Sequence, residues 1–175
     1  VVSVGGAGTA TFASVIAGTG ISTPVSGYTL GGAAAGNYTV SQPTGLTANI
    51  TAKTLTITGL SASNKVYNGN NTASLTGTAA LSGVVGAEDV NLSGSPTATF
   101  PSSAVGNALT VTVTGYSITG TDIGNYSLSQ PSGITADITA KNLTITGVTA
   151  NNKTFDGTTT ATLSGTPSLT GIVGA

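Results

Sequence analysis

The chain repeats itself at a fixed distance, and this constrains its fold more than any other feature. The stretch GNYTVSQPTGLTANITAKTLTITG, Gly36 to Gly59, returns as GNYSLSQPSGITADITAKNLTITG, Gly124 to Gly147. Gly27-Tyr28 and Gly115-Tyr116 stand 88 residues apart, as do Phe12 and Phe100, Lys65 and Lys153, and Gly83 and Gly171. No gap is needed, and about half of the aligned positions are identical. A period this long marks a module with its own core rather than the coil of a β-solenoid, whose repeats run to about 20–30 residues.

TLTITG reads as the first strand of the module. One full module then spans residues 54–141, residues 1–53 are the C-terminal part of a preceding one, and residues 142–175 are the N-terminal part of the next. The chain opens on Val1-Val2 in mid-pattern and without a signal peptide, as expected of an internal or processed segment.

Strand signals dominate within the module. Leu55-Thr56-Ile57-Thr58, Leu109 to Thr114 and Tyr126 to Ser129 alternate apolar and polar residues with period two. Helix signals are nearly absent. Asn68-Gly69 and Asp156-Gly157 suit tight hairpin turns, where glycine accepts a positive φ. The expected fold is all-β, with tandem immunoglobulin-like β-sandwich modules of seven or eight short strands forming an elongated rod or fibre. Asp122-Ile-Gly124-Asn-Tyr126-Ser-Leu128 has the spacing of a tyrosine corner, in which the Tyr hydroxyl bonds back to the chain and pins a sandwich edge. The first copy keeps Gly36 and Tyr38 but has Ala34 for the acid.

The segment Asn152-Lys-Thr-Phe-Asp156-Gly157-Thr-Thr, followed by Ala161-Thr-Leu163, resembles the YDG repeat domain of bacterial filamentous-haemagglutinin-like surface adhesins. The signature tyrosine is Phe155 here, and the earlier copy reads Lys65-Val-Tyr67-Asn68-Gly69. Gly83-Val-Val-Gly86, Thr97-Ala-Thr-Phe100, Val111 to Tyr116, and Gly124-Asn-Tyr126 running on to Thr135-Ala-Asp-Ile138 extend the likeness over the whole chain. The resemblance implies a bacterial, extracellular or cell-surface protein whose modules are stalk or fibre segments, and it brings no catalytic residues with it.

Composition bears on chemistry. Charged residues are 5% of the chain, the net charge is −1, and there is no His, Cys, Met or Trp. So few charges build no basic patch for nucleic acid or anionic membrane, and no apolar run reaches the roughly 20 residues of a membrane helix. Catalysis needs an acid, base or nucleophile held in geometry. The acids are Glu88, Asp89, Asp122, Asp137 and Asp156, and four of them have non-acidic counterparts at Val1, Ala34, Asn49 and Asn68. A per-module active site would not lose its acid between copies, so the expectation is no enzyme, no catalytic residue, no cofactor and no metal. For calcium the candidates are Glu88-Asp89 and Asp122, weighed against a solvated turn and a corner cap.

The four lysines occupy two repeat positions, Lys53/Lys141 and Lys65/Lys153. A Lys–Asn or Lys–Asp isopeptide cross-link is weighed there against a solubilising charge at a module junction and a gatekeeper near a hairpin. Asn37-Tyr38-Thr39 and Asn125-Tyr126-Ser127 are glycosylation triplets, and Thr110-x-Thr112-x-Thr114 is either an ice- or polysaccharide-binding array or the wet face of a strand. The aromatics mostly recur at repeat positions, which points to core.

A chain repeats a folded module for length or for many identical contacts. The expected function is a structural, non-enzymatic unit of a bacterial extracellular fibre or adhesin stalk, the alternative being a glycan- or host-surface-binding module. The expected partners are neighbouring identical modules, joined covalently in tandem or head to tail between chains.

Overall fold

A computed structural model describes residues 1–174. The fold is all-β, with sixteen strands among the described residues, and the only helical pieces there are two single 3-10 turns, Ala35–Asn37 and Ile123–Asn125. In the first part of the chain lie β1 (Ser3–Gly5), β2 (Thr9–Ala10), β3 (Gly18–Ser22), β4 (Val25–Ser26), β5 (Thr29–Gly31) and β6 (Thr47–Ile50). Eight follow: β7 (Lys53–Ala62), β8 (Lys65–Val66), β9 (Leu75–Ser82), β10 (Asn91–Thr99), β11 (Gly106–Thr110), β12 (Thr112–Thr119), β13 (Tyr126–Leu128) and β14 (Thr135–Thr139). The chain closes with β15 (Thr144–Ala150) and β16 (Leu163–Thr170).

The sheets are small, of two or three strands each. β13 lies parallel to β7, with Tyr126 opposite Lys53, Ser127 opposite Thr54 and Leu128 opposite Leu55, and β9 takes the other edge of β7. β14 is paired on both edges, antiparallel to β11 and parallel to β8, where Ile138 faces Lys65. Near the N-terminus β1 pairs β5, β2 pairs β4 and β3 pairs β6, all antiparallel. β15 and β16 form an antiparallel hairpin with Thr144 opposite Thr170.

Packing divides the chain along other lines than the repeat does. One compact unit comprises residues 1–58, 80–95 and 116–130, and the other comprises residues 59–79, 96–115 and 131–175. In the first, Leu55 and Ile57 point inward from β7 while Thr54, Thr56 and Thr58 face solvent, as period-two patterning dictates. In the second, Phe100, Val111, Val113 and Ile138 are almost wholly buried.

Every buried apolar residue among those described lies between Leu55 and Ile138. The equivalents 88 positions away are open to solvent. Phe100 is 1% exposed and Phe12 45%; Leu55 is fully buried and Leu143 is 46% exposed; Tyr126 is 8% exposed and Tyr38 63%. The aromatics therefore belong to the core only in the copy that has both of its halves. Identical side chains are wet in the flanking copies because the strands that would cover them are not packed there.

Paired glycines bend the long strands. Gly59 on β7 and Gly77 on β9 both have positive φ, at +83° and +88°, and a Cβ on either would fall on a backbone carbonyl oxygen of the strand opposite. Gly147 and Gly165 repeat the arrangement on β15 and β16, where the register shifts between Thr146 and Val148. Only glycine accepts both the conformation and the approach.

The expected two-residue hairpins at 68–69 and 156–157 need correcting. Gly69 and Gly157 do have positive φ, but each turn sits within a longer loop instead of joining two paired strands. Lysine holds these loops, as described next.

Candidate functional site

Tyr126 is the most connected side chain of its unit. The 3-10 turn Ile123–Asn125 delivers it at the start of β13, with Tyr126 N–H donating to the Ile123 carbonyl. Its hydroxyl accepts the backbone N–H of Val85 at 2.9 Å and donates to the Glu88 carboxylate. The bond to Glu88, followed by burial, holds the phenol above its ordinary pKa of 10.0. The tyrosine-corner expectation is thus modified: the hydroxyl does bond back to the chain, but to a loop 41 residues earlier. It therefore locks two distant segments together.

The neighbouring acids belong to the same arrangement. Asp122 accepts the Asp89 N–H at 2.8 Å, and Asp89 accepts the Thr121 N–H at 3.0 Å and the Asn91 side-chain amide at 2.7 Å. Glu88, Asp89 and Asp122 are thereby occupied with chain donors. No group of three His, Cys, Asp or Glu residues able to hold a metal ion occurs among the described residues.

Asp137 shows why an acid and an amide interchange between copies. It accepts the N–H of Ala108 at 2.7 Å, at a bulge where Ala108 has φ +49°. Its counterpart Asn49 accepts the N–H of Gly20 at 2.9 Å, where φ is +64°. The position needs an acceptor oxygen, and a charge adds nothing to that task.

The second pair of lysines act as loop clasps. Lys65 Nζ donates to the Asn70 and Thr72 carbonyls, to Asn70 Oδ1 at 2.8 Å, and lies 5.9 Å from the Phe100 ring centroid. Lys153 Nζ contacts Asp156 at 2.8 Å and the Thr158 carbonyl at 2.8 Å, and this lysine draws the Asp156 carboxyl below its ordinary 3.8. No acid is bonded to the Lys65–Asn70 contact, so the catalyst an isopeptide would need is absent from its hydrogen-bond shell. Thr97 and Thr114 hydroxyls pair across β10 and β12 at 3.3 Å, which uses part of the Thr array in cross-strand bonding.

Two further features were not read from the sequence. Gln42 brackets Tyr28, accepting its N–H at 3.1 Å and donating to its carbonyl at 2.8 Å; Gln130 does the same for Tyr116 at 3.1 and 2.9 Å. The repeated Ser-Gln-Pro was the available signal. The other feature is a pair of grooves that obey the repeat. One, of about 290 Å³, lies between Ala17, Lys53, Val85 and Glu88; the other, of about 350 Å³, lies between Tyr67, Val105, Lys141 and Val173. Ala17, Lys53 and Val85 become Val105, Lys141 and Val173 on adding 88. Beside the first groove the Ala17 N–H donates to Asn125 Oδ1 at 2.9 Å, which joins two copies and occupies the oxygen of that glycosylation triplet's amide.

Comparison with known proteins agrees with the repeat. The sequence profile of the YDG domain matches residues 1–45, 51–133 and 139–175. No curated protein and no solved structure matches the chain.

Proposed function

The chain belongs to the YDG domain family, and from that premise we propose that it is a structural, non-enzymatic repeat unit of a bacterial extracellular fibre or adhesin stalk. Its modules, sandwich-like and set in tandem, would give reach from the cell surface or cohesion within a matrix. One observation carries the reading: the buried apolar residues fall within one 88-residue copy, while the same residues in both flanking copies present open apolar faces. A module built to continue into its neighbours serves length. The carboxylates support it too, since hydrogen bonds to the chain occupy them.

A binding role for glycan or host surface is the second reading. It is favoured by the two junction grooves, each with a lysine at its rim and placed to recur once per module. The test of the main reading is the denatured mass of the native material, together with its recovery from the cell surface. A mass of many modules on the cell exterior is expected. Recovery from the cytoplasm would overturn the reading, and glycan-array binding that is lost on Lys53→Ala with Lys141→Ala would promote the second.

A further inference from the structure

We infer that the two ends of the chain are complementary in a defined register, so that residues 142–175 of one copy dock on residues 1–53 of a second. The inference rests on the tandem-module reading and goes beyond it in naming the partner, the strand and the contacts.

The template is the middle copy. There β7 is flanked by β13 on one edge and β9 on the other. β15 and β16 are the 88-residue equivalents of β7 and β9, and they pair with each other, but the β13-side edge of β15 is open. The equivalent of β13 is Tyr38-Thr39-Val40, which is solvent-exposed and in no strand. Each end therefore holds what the other lacks.

Exposure agrees with pairing. Every residue of β15 and β16 is exposed, with Ile145 at 65% and Leu163 at 68%, and a lone two-stranded hairpin is marginal in water. On the other end Phe12, Tyr38 and Leu46 lie open where Phe100, Tyr126 and Ile134 are buried. The occupant is a second copy because the covering residues it supplies match those of the template: Leu143 for Leu55, Ile145 for Ile57, Val173 for Val85.

The register follows by shifting observed contacts. Tyr126 opposite Lys53 becomes Tyr38 opposite Lys141 of the second copy, and Ser127 opposite Thr54 becomes Thr39 opposite Asn142. The Val85 N–H to Tyr126 hydroxyl bond becomes one from Val173 to Tyr38. The Ala17 N–H to Asn125 bond becomes one from Val105 to Asn37. The mode is parallel β-strand addition, with main-chain bonds supplying affinity and alternate side chains supplying specificity. The interface is heterologous, so it leaves one free end of each kind and propagates as an open filament.

The chain has no cysteine, which makes the test clean. In the template the Thr54 and Ser127 hydroxyls lie 3.1 Å apart, so cysteines at their equivalents would be within disulfide reach. Thr39→Cys and Asn142→Cys chains, mixed reduced at micromolar concentration and then oxidised mildly, should give a covalent heterodimer. It should form at least tenfold faster than from Thr39→Cys mixed with a control cysteine at the exposed Thr160. The unmodified chain should show concentration-dependent association by sedimentation, abolished by Leu143→Arg, a substitution at an exposed position that spares the core. A chain monomeric at all concentrations, with no preference for the Thr39–Asn142 pair, would overturn the docking. A multi-module denatured mass from native material would in that event leave the stalk reading standing.

Discussion

The hydroxyl of Tyr126 accepts the backbone N–H of Val85 at 2.9 Å, so a residue at the start of β13 holds a loop 41 positions earlier. The same hydroxyl donates to Glu88, and so one phenolic oxygen closes the loop that follows β9. Removing that oxygen leaves the ring packed and the loop untied. Tyr126→Phe should lower the melting temperature by several degrees and raise amide exchange at Val85. Tyr38→Phe, at a 63% exposed position, should do neither in the dissociated chain. Equal effects of the two would sink this account of the lock.

The lock also sets an alkaline limit. The folded pKa of Tyr126 is raised above 10.0, chiefly by the bond to Glu88. Folding therefore favours the protonated phenol, and its contribution is fully present below pH 10 and lost as pH rises through the folded value. Melts of the parent chain and of Tyr126→Phe should converge only in that alkaline range. Convergence near neutrality would contradict the assignment.

Asp156 gives the opposite sign. Lys153 and Thr158 hold its pKa below 3.8, so its contribution is present above that value and lost as pH falls through the depressed one. Both partners are exposed, and the effect on global stability should be small. Following the Thr158 amide resonance through an acid titration should show the midpoint below 3.8, shifting upward in Lys153→Ala.

Equivalent phenylalanines should differ in weight. Phe100→Ala should cost about 3–5 kcal/mol, the range for a buried ring, since Phe100 is 1% exposed. Phe12→Ala should cost far less in the dissociated chain. Denaturant melts of the two variants decide the matter, and comparable losses would mean that Phe12 is covered in solution.

The glycine pair on β7 and β9 is open to a direct check. Gly59→Ala forces an L-residue into φ +83° and sets its Cβ on the Thr78 carbonyl. The conformation alone costs about 1–2 kcal/mol, and the displaced strand adds to it. Gly86→Ala shares the positive φ but meets open space, so it isolates the conformational part. A Gly59 variant no worse than the Gly86 variant would refute the close-approach argument.

Much was legible before any coordinates. The 88-residue identity, the all-β composition and the inward Leu55 and Ile57 follow from spacing, since the pleat repeats every two residues and a copied module copies its pattern. The interchangeability of Asp137 and Asn49 was also visible as a substitution between copies. Its cause, an acceptor for the Ala108 or Gly20 N–H, was not. The junction grooves and the glutamine brackets were out of reach because they join residues far apart in the chain.

Sequence by itself determined the unit that is repeated, the strand-forming stretches and the positions where only glycine serves, because these depend on local sterics and alternation. Tertiary structure alone decided which copy of each side chain is buried. Phe12 and Phe100, or Tyr38 and Tyr126, sit in near-identical local sequence, and nothing local separates them. Burial is a property of what packs above a residue, and that cover comes from strands distant in the chain.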